Sequence, residues 1–588
     1  MYQLRDYQQK AVNAIISHVS GSIAPCVAEL ATGAGKSLIV AEIARIIHKK
    51  SGGKSVLCIA PSAELVTQNR EKYLATGEPA SIFSASLGAR CLRHPVVFGT
   101  PQTIKNGIEK FGDRFAMVII DESHSITPTI KTIIDKMKSK NKMLRVVGLS
   151  ATPYRLGNGY IYAINEKGIA QHESEAKEPY FINLVYKLQA RELIERGYLT
   201  RPVIGEIGGD QYDTSNLHLN RMGKFDQNDI DKAFVGHGRK TAAIVADVVH
   251  KSRDRRGVMF FAATVQHADE VLASLPPELS AIVTGETPKT ERKSILNRFK
   301  NQKIKYLVNV AVLTTGYDAA HVDVIAVLRA TESAGLFQQI IGRGLRLFDG
   351  KNDCLVLDYA GNIDRHTPDG DLFNPKIEAK LSAGGTETGE FICPSCGLTN
   401  VFTLRKNKEG YRIDKEGYFT DLRNMRILTD KGEPYPAHYG RSCMGYDKMM
   451  NRCGYRWTSK VCEQCGADND IAAKYCTKCR GELIDPNEKL EFEFKQMKKD
   501  PHQIQIDEVL AIHEKPSVSK AGNPTLRVEI VTPYRVFTVW FQTDPKNEYA
   551  LKQYQAYMYH KNFGIKTVEY VKEKSGFFKI LSYNKEAN

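Results

Sequence analysis

A short glycine-rich segment, Ala31-Thr32-Gly33-Ala34-Gly35-Lys36-Ser37, lies between an apolar run and a helical pattern. A strand, a glycine-rich turn and a helix in this order form a phosphate-binding loop, because backbone N–H groups and the helix N-terminus then face the anion. Leu30 stands where the strict pattern has its first glycine. We expect Lys36 to reach the β- and γ-phosphates and Ser37 to bind Mg²⁺. The segment therefore predicts a nucleotide-binding α/β domain.

A pair of carboxylates follows a later apolar run. The run Ala116–Ile120 predicts a strand, and Asp121-Glu122 comes directly after it. A carboxylate at the carboxyl end of a strand beside a phosphate loop is well placed to hold Mg²⁺. We expect Asp121 to hold the metal and Glu122 to orient and polarise an attacking water. Together with the phosphate loop, this pair predicts hydrolysis of a nucleoside triphosphate.

Apolar runs alternate with helical patterns over two stretches of the chain, residues 1–185 and 186–361. Short runs that are almost wholly apolar are typical of parallel strands buried on both faces. The strands predicted in the first stretch are Cys26–Ala31, Ser55–Pro61, Pro95–Gly99, Ala116–Ile120 and Arg145–Leu149. Those predicted in the second stretch are Gly257–Phe261, Ala281–Val283, Tyr306–Val310, Val324–Leu328 and Cys354–Asp358. The pattern predicts two tandem α/β lobes with parallel sheets.

The rest of the 588-residue chain has a different character. Residues 362–390 are polar and rich in Gly, Pro and Thr, and we predict a linker there. Residues 391–485 contain close pairs of cysteines and predict a metal-binding region. Residues 486–588 contain strand-like runs and predict a small β-rich domain, whose role the sequence leaves open.

Several further motifs follow one another in order along the two predicted lobes. They are Asp-Glu-x-His at 121–124, Ser-Ala-Thr at 150–152 and Gln-Ile-Ile-Gly-Arg-Gly-Leu-Arg at 339–346. In this order they resemble the motifs of superfamily 2 helicases and translocases. The opening Leu4-Arg5-Asp6-Tyr7-Gln8 is similar to the adenine-reading motif of that superfamily. The resemblance covers residues 1–360 and implies two RecA-like lobes with ATP between them.

The resemblance also implies roles for single residues. The residues implied to contact ATP or its metal are Arg5, Gln8, Thr32, Gly33, Ala34, Gly35, Lys36, Ser37, Asp121, Gly316 and Asp318. The implied catalytic residues are Lys36, Asp121, Glu122, Gln339, Arg343 and Arg346, with the two arginines meeting the γ-phosphate from the second lobe. The residues implied to relay the nucleotide state are His124, Ser150 and Thr152. The residues implied to touch a nucleic-acid strand are Thr100, Gln102, Thr264 and Thr284, although each could instead cap a helix.

Eight of the 12 cysteines fall within residues 393–479. The sequence shows no secretion signal, so paired cysteines predict metal ligands rather than disulfides. One group forms a zinc-ribbon pattern and consists of Cys462, Cys465, Cys476 and Cys479. The other group begins with a similar half-site and consists of Cys393, Cys396, Cys443 and Cys453. Four thiolates suit tetrahedral Zn²⁺, so we expect two structural zinc sites, with an iron–sulfur cluster as the alternative.

The motifs of the second lobe, followed by Cys-Pro-x-Cys-Gly and a zinc ribbon, resemble the RadD-like bacterial DNA-repair ATPases up to residue 485. This resemblance implies a cytoplasmic ATPase of recombinational repair. It implies action on single-stranded or branched DNA and association with single-stranded-DNA-binding protein. The net charge of +15 favours such a polyanionic partner. No apolar run approaches the roughly 20 residues of a membrane span, so we expect no membrane partner.

Three other functions fit parts of the sequence. An RNA helicase or remodeller would carry the same motifs, because these contact mainly the nucleic-acid backbone. A restriction-type DNA translocase would carry its own nuclease; Pro368-Asp369 and Glu378-Ala379-Lys380 fit a nuclease-like pattern, but they lie in a polar linker and we interpret them as chance. A scaffold that uses nucleotide only as a switch would not need the complete hydrolytic set.

Overall fold

The computed structural model of the chain divides into two compact units. We call Met1–Ser382 together with Tyr446–Asn451 unit 1, and Ala383–Gly445 together with Arg452–Asn588 unit 2. The structure describes residues 3–207, 211–220, 223–313, 317, 319–367, 371–373, 387–407, 409–429, 432–462, 464–470, 473–481, 483, 502, 504–519, 522–533, 535–545 and 547–584.

The first lobe of unit 1 is built on a nine-stranded sheet. The strands of this lobe are β1 (Cys26–Leu30), β2 (Ser55–Ile59), β3 (Ala80–Ser84), β4 (Ala89–Arg90), β5 (Val96–Gly99), β6 (Phe115–Asp121), β7 (Arg145–Ser150), β8 (Tyr154–Arg155), β9 (Gly159–Tyr160), β10 (Tyr162–Ile164) and β11 (Phe181–Leu188). The sheet has the order β10-β11-β1-β7-β6-β2-β5-β3-β4, and all neighbours are parallel except β3 and β4. Strands β8 and β9 form a separate hairpin.

Helices cover both faces of this sheet. They are α1 (Asp6–Gly21), α2 (Lys36–Lys50), α3 (Ala63–Leu74), α4 (Pro101–Asn106) and α5 (Pro128–Lys140). One apolar core joins the sheet to α1, α2 and α3, and a second core joins it to α4 and α5. Successive strand residues alternate between the two cores, as Val27 and Ala28 do. Burial on both faces explains why these strands read as continuous apolar runs.

The second lobe has a six-stranded, wholly parallel sheet. Its strands are β12 (Arg201–Ile204), β13 (Val258–Ala262), β14 (Ser280–Val283), β15 (Tyr306–Asn309), β16 (Val324–Leu328) and β17 (Asp353–Asp358), in the order β12-β17-β16-β13-β15-β14. The helices that follow the first lobe along the chain are α6 (Ala190–Glu195), α7 (Gln227–Phe234), α8 (Gly238–Lys251), α9 (Val265–Ala273), α10 (Lys289–Lys300), α11 (Ala334–Ile341) and α12 (Asn362–His366). The expected α/β class with two RecA-like lobes is confirmed.

The sequence analysis misplaced the end of the first lobe. The expected boundary at residue 185 falls inside β11, which pairs in parallel with β1 from Asn183 to Leu188. The polar residues Asn183 and Lys187 interrupt the sequence of this strand, so it lacks the continuous apolar run that predicts a buried strand. Strand β11 ends at Leu188, and α6 begins at Ala190.

Among the described residues, unit 2 consists of small sheets and one long helix. Its elements are β18 (Thr388–Ile392), β19 (Thr399–Thr403), β20 (Arg412–Ile413), β21 (Phe419–Thr420), β22 (Lys460–Val461), β23 (Asp468–Asn469), β24 (Gln505–Glu508), β25 (Ala511–Val518), β26 (Pro524–Val531), β27 (Val536–Gln542), α13 (Glu548–Phe563), β28 (Thr567–Lys572) and β29 (Phe578–Tyr583). The C-terminal part contains two antiparallel sheets, β25-β26-β27 and β24-β28-β29, and a shared core that includes Tyr557 of α13. No helix within the described ranges is long and apolar enough to cross a membrane.

Candidate nucleotide site and cysteine clusters

The glycine-rich segment forms the turn between β1 and α2. Gly35 has a φ of +81°, and a Cβ built on it would lie 2.5 Å from Nε2 of Gln8, so a side chain at this position would meet both strain and a clash. Helix α2 begins at Lys36. The first N–H groups of a helix have no partner within it and bind phosphate oxygens well. The turn and the first residues of α2 bring together Thr32, Gly33, Ala34, Gly35, Lys36 and Ser37.

Lys36 lies against the two carboxylates at the end of β6. Its Nζ is 3.6 Å from Oε1 of Glu122. Oδ2 of Asp121 accepts a hydrogen bond from Nδ2 of Asn69 at 2.8 Å, and Oδ1 accepts one from the N–H of Glu122 at 2.9 Å. Both carboxylates are buried. The structure therefore places Lys36 beside the two acidic residues at the end of β6.

Burial and neighbouring charges act differently on the two acids. Burial raises the pKa of Asp121, and the negative charge of Glu122 raises it further. Burial also opposes the ionisation of Glu122, but Lys36, His124 and Arg343 together hold the pKa of that carboxyl below its usual range. Glu122 is therefore an ionised acceptor at neutral pH. A divalent cation beside Asp121 would favour its charged form as well.

A line of polar contacts runs from Glu122 into the second lobe. His124 Nδ1 lies 3.4 Å from Glu122 Oε2 and 3.0 Å from Ser150 Oγ. Ser150 Oγ accepts a hydrogen bond from the N–H of Thr152 at 3.1 Å. Gln339 Nε2, on α11, donates to Thr152 Oγ1 at 3.4 Å. The three residues expected to relay the nucleotide state thus lie between the acid and α11, in that order.

The arginines that follow α11 share one backbone acceptor, and the glycine before them approaches the phosphate loop. Arg343 and Arg346 each donate a hydrogen bond through NH1 to the carbonyl of Tyr317, at 3.0 and 3.1 Å. A Cβ built on Gly342 would lie 2.7 Å from Cβ of Thr32, so the backbone of the second lobe approaches the loop closely there. This close approach accounts for a glycine at position 342.

Some predicted site residues lie outside the described residues. Gly316 and Asp318, expected near the ribose and phosphates, are two of them. The nuclease-like residues Pro368, Asp369 and Glu378-Ala379-Lys380 are the others. The interpretations of these positions stay predictions.

The residues expected to read adenine lie at the start of α1. Gln8 Nε2 donates to the carbonyl of Ala34 at 2.9 Å, and its Oε1 accepts from the N–H of Arg5 at 2.9 Å. Gln8 therefore braces the phosphate loop. The guanidinium of Arg5 lies 4.7 Å from the ring centroid of Tyr198. Sequence analysis missed Tyr198 because it follows a polar helix and belongs to no recognisable motif.

Asn69 is a second residue that sequence analysis missed. It lies on α3, is 1% exposed and holds Asp121 in place. A signal was present, because Leu65, Asn69 and Tyr73 recur at helical spacing and share the buried face of α3. A polar residue on that face indicates a buried hydrogen bond.

Two of the four residues predicted to contact a nucleic-acid strand make hydrogen bonds within the second lobe. Thr264 Oγ1 accepts a hydrogen bond from the N–H of His267 at 3.1 Å and caps α9, which is the alternative that the sequence left open. Thr284 is buried, and its Oγ1 accepts from the N–H of Glu286 at 3.2 Å. Both hydroxyl oxygens therefore accept a hydrogen bond from the backbone of the second lobe.

The other two candidates lie on the first lobe. Thr100 and Gln102 line one cleft together with Asp121 and Glu122. Gln102 is exposed, whereas the hydroxyl of Thr100 donates to Oγ of Ser84 at 3.2 Å. Their contact with a nucleic-acid strand stays a prediction.

The eight clustered cysteines form two separate groups of four in unit 2. Within each group the sulfur atoms all lie within 4.8 Å of one another. The members are those expected from the sequence, Cys393, Cys396, Cys443 and Cys453 in one group and Cys462, Cys465, Cys476 and Cys479 in the other. All of these thiols are free of disulfides.

The sulfur separations suit a tetrahedral metal. In the first group Cys393 and Cys453 are 3.7 Å apart, and Cys396 and Cys443 are 3.5 Å apart, sulfur to sulfur. Tetrahedral zinc with bonds of about 2.3 Å requires sulfur separations of about 3.8 Å. Cys443 also accepts a hydrogen bond from the N–H of Gly445 at 3.2 Å, which stabilises thiolate charge. Both groups therefore fit a four-thiolate site.

Two family models match the lobes. Residues 1–155 match the family described as type III restriction enzyme, res subunit, and residues 240–348 match the helicase conserved C-terminal domain. The fold, the ordered motifs and these matches define the two lobes as the core of a superfamily 2 helicase/ATPase.

Curated relatives resemble the same part of the chain. A Schizosaccharomyces pombe protein named as a mitochondrial ATP-dependent helicase, irc3, is 26% identical and covers 62% of this chain and 58% of its own length. The Saccharomyces cerevisiae protein named as ATP-dependent helicase IRC3 is 22% identical, covering 61% and 51%. A Sulfurisphaera tokodaii protein named as the DNA 3'-5' translocase XPB2 is 24% identical, covering 62% and 83%. The chain thus spans only a little over half the length of its two yeast relatives.

Proposed function

We propose that this chain is an ATP- and Mg²⁺-dependent motor that acts on DNA. The observation that carries the proposal is the line of contacts from Glu122 through His124, Ser150 and Thr152 to Gln339. It joins an ionised carboxylate of one lobe to a residue of the other lobe. Opening or closing of the lobes therefore makes or breaks contact with the residue that polarises the attacking water.

Each residue around the phosphate loop has a separate task. Glu122 accepts a hydrogen bond from the attacking water, and Gln339 helps to place that water. Lys36 binds the β- and γ-phosphates. Mg²⁺, when bound, neutralises phosphate charge, and Asp121 and Ser37 would hold it.

The second lobe supplies positive charge. Arg343 and Arg346 neutralise the charge that develops on the γ-phosphate, one of them as an arginine finger. Their shared hydrogen-bond acceptor, the carbonyl of Tyr317, holds the two guanidinium groups close to each other. Hydrolysis then requires the two lobes to be closed.

We propose that both cysteine groups hold Zn²⁺. Four thiolates leave no open coordination position, so both metals are structural. Metal analysis of the purified chain is expected to find about two zinc ions per chain. Iron with visible absorbance would overturn the choice of zinc.

DNA is proposed as the polymer because the related XPB2 is named as a DNA translocase and because the chain is basic. The resemblance to RadD-like ATPases supports recombinational repair in the cytoplasm, on single-stranded or branched DNA, with single-stranded-DNA-binding protein as partner. A restriction-type translocase is a second candidate, because residues 1–155 match a restriction-enzyme family. It would show Mg²⁺-dependent cleavage of DNA, whereas a repair motor would not.

Steady-state ATP hydrolysis tests the proposal. It is measured without polymer and with single-stranded, forked or duplex DNA or RNA, each at two salt concentrations. We expect stimulation by DNA that weakens with salt, because phosphate contacts release counterions. Equal or greater stimulation by RNA would contradict the choice of DNA. Hydrolysis that no polymer changes would point to a protein activator instead.

A further inference from the structure

The sheet β25-β26-β27 in unit 2 has two unlike faces. Side chains on neighbouring positions of a strand point to opposite faces. The inner face is apolar and packs into the C-terminal core through Val528, Ile530, Phe537, Val539 and Phe541. On the other face, the register places Lys515 opposite Arg527 and Arg527 opposite Trp540. We call Lys515, Arg527 and Trp540 the outer row.

Trp540, at the end of the outer row, lies beside a second exposed aromatic ring. Trp540 is 49% exposed, and Phe577, in the turn between β28 and β29, is 61% exposed. Their ring centroids are 6.0 Å apart and the rings are nearly perpendicular. Large rings that lie together at the surface, rather than singly, are typical of binding sites.

The outer row also carries two positive charges, Lys515 and Arg527. Like charges directly opposite each other in a sheet are unfavourable, and Lys515 and Arg527 form such a pair. Glu529 binds Arg527 at 3.0 Å, but the salt bridges among the described residues include none to Lys515. A lysine on the edge strand β25 protects the edge from pairing with other chains. That role explains neither the arginine on the central strand nor the exposed rings.

We propose that the outer row and Phe577 form a binding site for single-stranded nucleic acid. Bases stack on Trp540 and Phe577, while the phosphates lie against Lys515 and Arg527. A single strand is favoured over a duplex because its bases are free to leave their own stack. The proposal rests on the proposed function only in taking nucleic acid as the partner, and it adds a strand-binding surface in unit 2 to those of the two lobes.

The chain reports on this site through its own fluorescence. It has two tryptophans, and the other one, Trp457, is 5% exposed with its Nε1 donating to the carbonyl of Glu416. We expect a thymidine oligonucleotide added to the full chain, without ATP, to quench the emission of Trp540. An abasic oligonucleotide of the same length carries the phosphates without bases, and we expect it to quench much less.

Three variants locate the effect. Trp540→Phe should abolish most of the quenching while keeping a ring that stacks. Phe577→Ala should weaken the binding measured by quenching by about tenfold, in line with the loss of one stacked base. Tyr559→Ala is the matched control, because it removes an equally exposed ring from α13, and it should change nothing.

Several results would overturn the proposal. Quenching that survives Trp540→Phe would come from Trp457. Equal quenching by the abasic strand would mean that phosphate alone is bound. An acidic peptide that binds the outer row while thymidine strands do not would make it a protein-docking surface. ATP hydrolysis stimulated by DNA, with no quenching of Trp540, would overturn this site and leave the proposed function standing.

Discussion

The two lobes and the cysteine-cluster region, residues 387–483, stabilise their functional groups in different ways. In the lobes, Lys36, Asp121 and Glu122 lie at the ends of elements whose apolar cores are large and continuous. In the cysteine-cluster region, the buried apolar residues around the first group are Cys393, Tyr418, Cys443 and Trp457. Around the second group they are Cys462, Cys476 and Leu483.

The two regions differ in whether the apolar core depends on the functional residues. In the lobes an apolar frame exists without the polar site, so the site can be altered while the frame stays folded. Around each cysteine group the ligands themselves form much of the local core, because small domains bury too little apolar surface to fold without a metal or a cross-link. Substitutions of functional residues in the lobes should therefore impair activity without unfolding the lobes. Substitutions of the cysteines should impair both metal binding and folding.

The largest effect should follow loss of a thiolate. Cys443→Ser removes one ligand of the first group, and we expect the metal content to fall from about two zinc ions to about one. The region should also lose much of the roughly 10 kcal/mol that a structural zinc contributes. Metal analysis and limited proteolysis measure both effects. Cys91→Ser, at an exposed cysteine outside both groups, should leave them unchanged. Two zinc ions in Cys443→Ser would break the comparison.

Loss of the phosphate-loop lysine should stop the chemistry without unfolding either region. We expect Lys36→Ala to lower the rate of ATP hydrolysis by about 10²–10³-fold or more, as does removal of other preorganised charges at transition states. The zinc content should not change. Lys54→Ala, at an exposed lysine before β2, is the control for steady-state kinetics. Normal turnover in Lys36→Ala would remove the phosphate-loop assignment.

A half-buried acid of β1 should affect the stability of the first lobe. Burial raises the pKa of Glu29 to about 7, and Lys187 opposite it lowers the pKa only in part, while Glu166 adds to the rise. Between its usual pKa and 7 the folded state binds more protons than the unfolded state, so stability falls as pH rises through this range. Glu29→Gln should remove that slope.

The raised pKa of Glu29 sets the expected size of this stability difference. Above pH 7 we expect Glu29→Gln to be more stable than the parent chain by up to about 3 kcal/mol, with little difference at pH 5. Denaturant unfolding of the lobes at pH 5 and pH 8 measures it. Glu64→Gln replaces an exposed acid on α3 and should show no such pH dependence. Parallel curves for Glu29→Gln and the parent would contradict the expectation.

The smallest effect should come from the contact between the lobes. Thr152→Val keeps the shape of the side chain but removes the hydroxyl that accepts from Gln339. We expect stimulation of ATP hydrolysis by DNA to fall about tenfold, the equivalent of one hydrogen bond. Thr132→Val, on the exposed side of α5, is the control. Full stimulation in Thr152→Val would show that the relay runs elsewhere.

Local patterns predicted the frame of the site well. The phosphate loop could be read because a strand, a tight turn and a helix follow one another within a few residues. Three cysteine pairs could be predicted as ligands because two cysteines with two residues between them match the ligand spacing of zinc sites. The role of Thr264 could not be predicted from the sequence. A threonine at this position suits both a cap of α9 and a contact with a nucleic-acid strand.

The sequence by itself determined the α/β class, the order of the motifs and the four cysteines of the zinc ribbon, since these depend on short-range periodicity and spacing. Only the tertiary structure decided that β11 lies beside β1, that Asn69 holds Asp121, and that Cys393 and Cys453, 60 residues apart, lie 3.7 Å from each other. Such contacts join residues that are distant along the chain, and burial in three dimensions selects them. No local pattern carries that information.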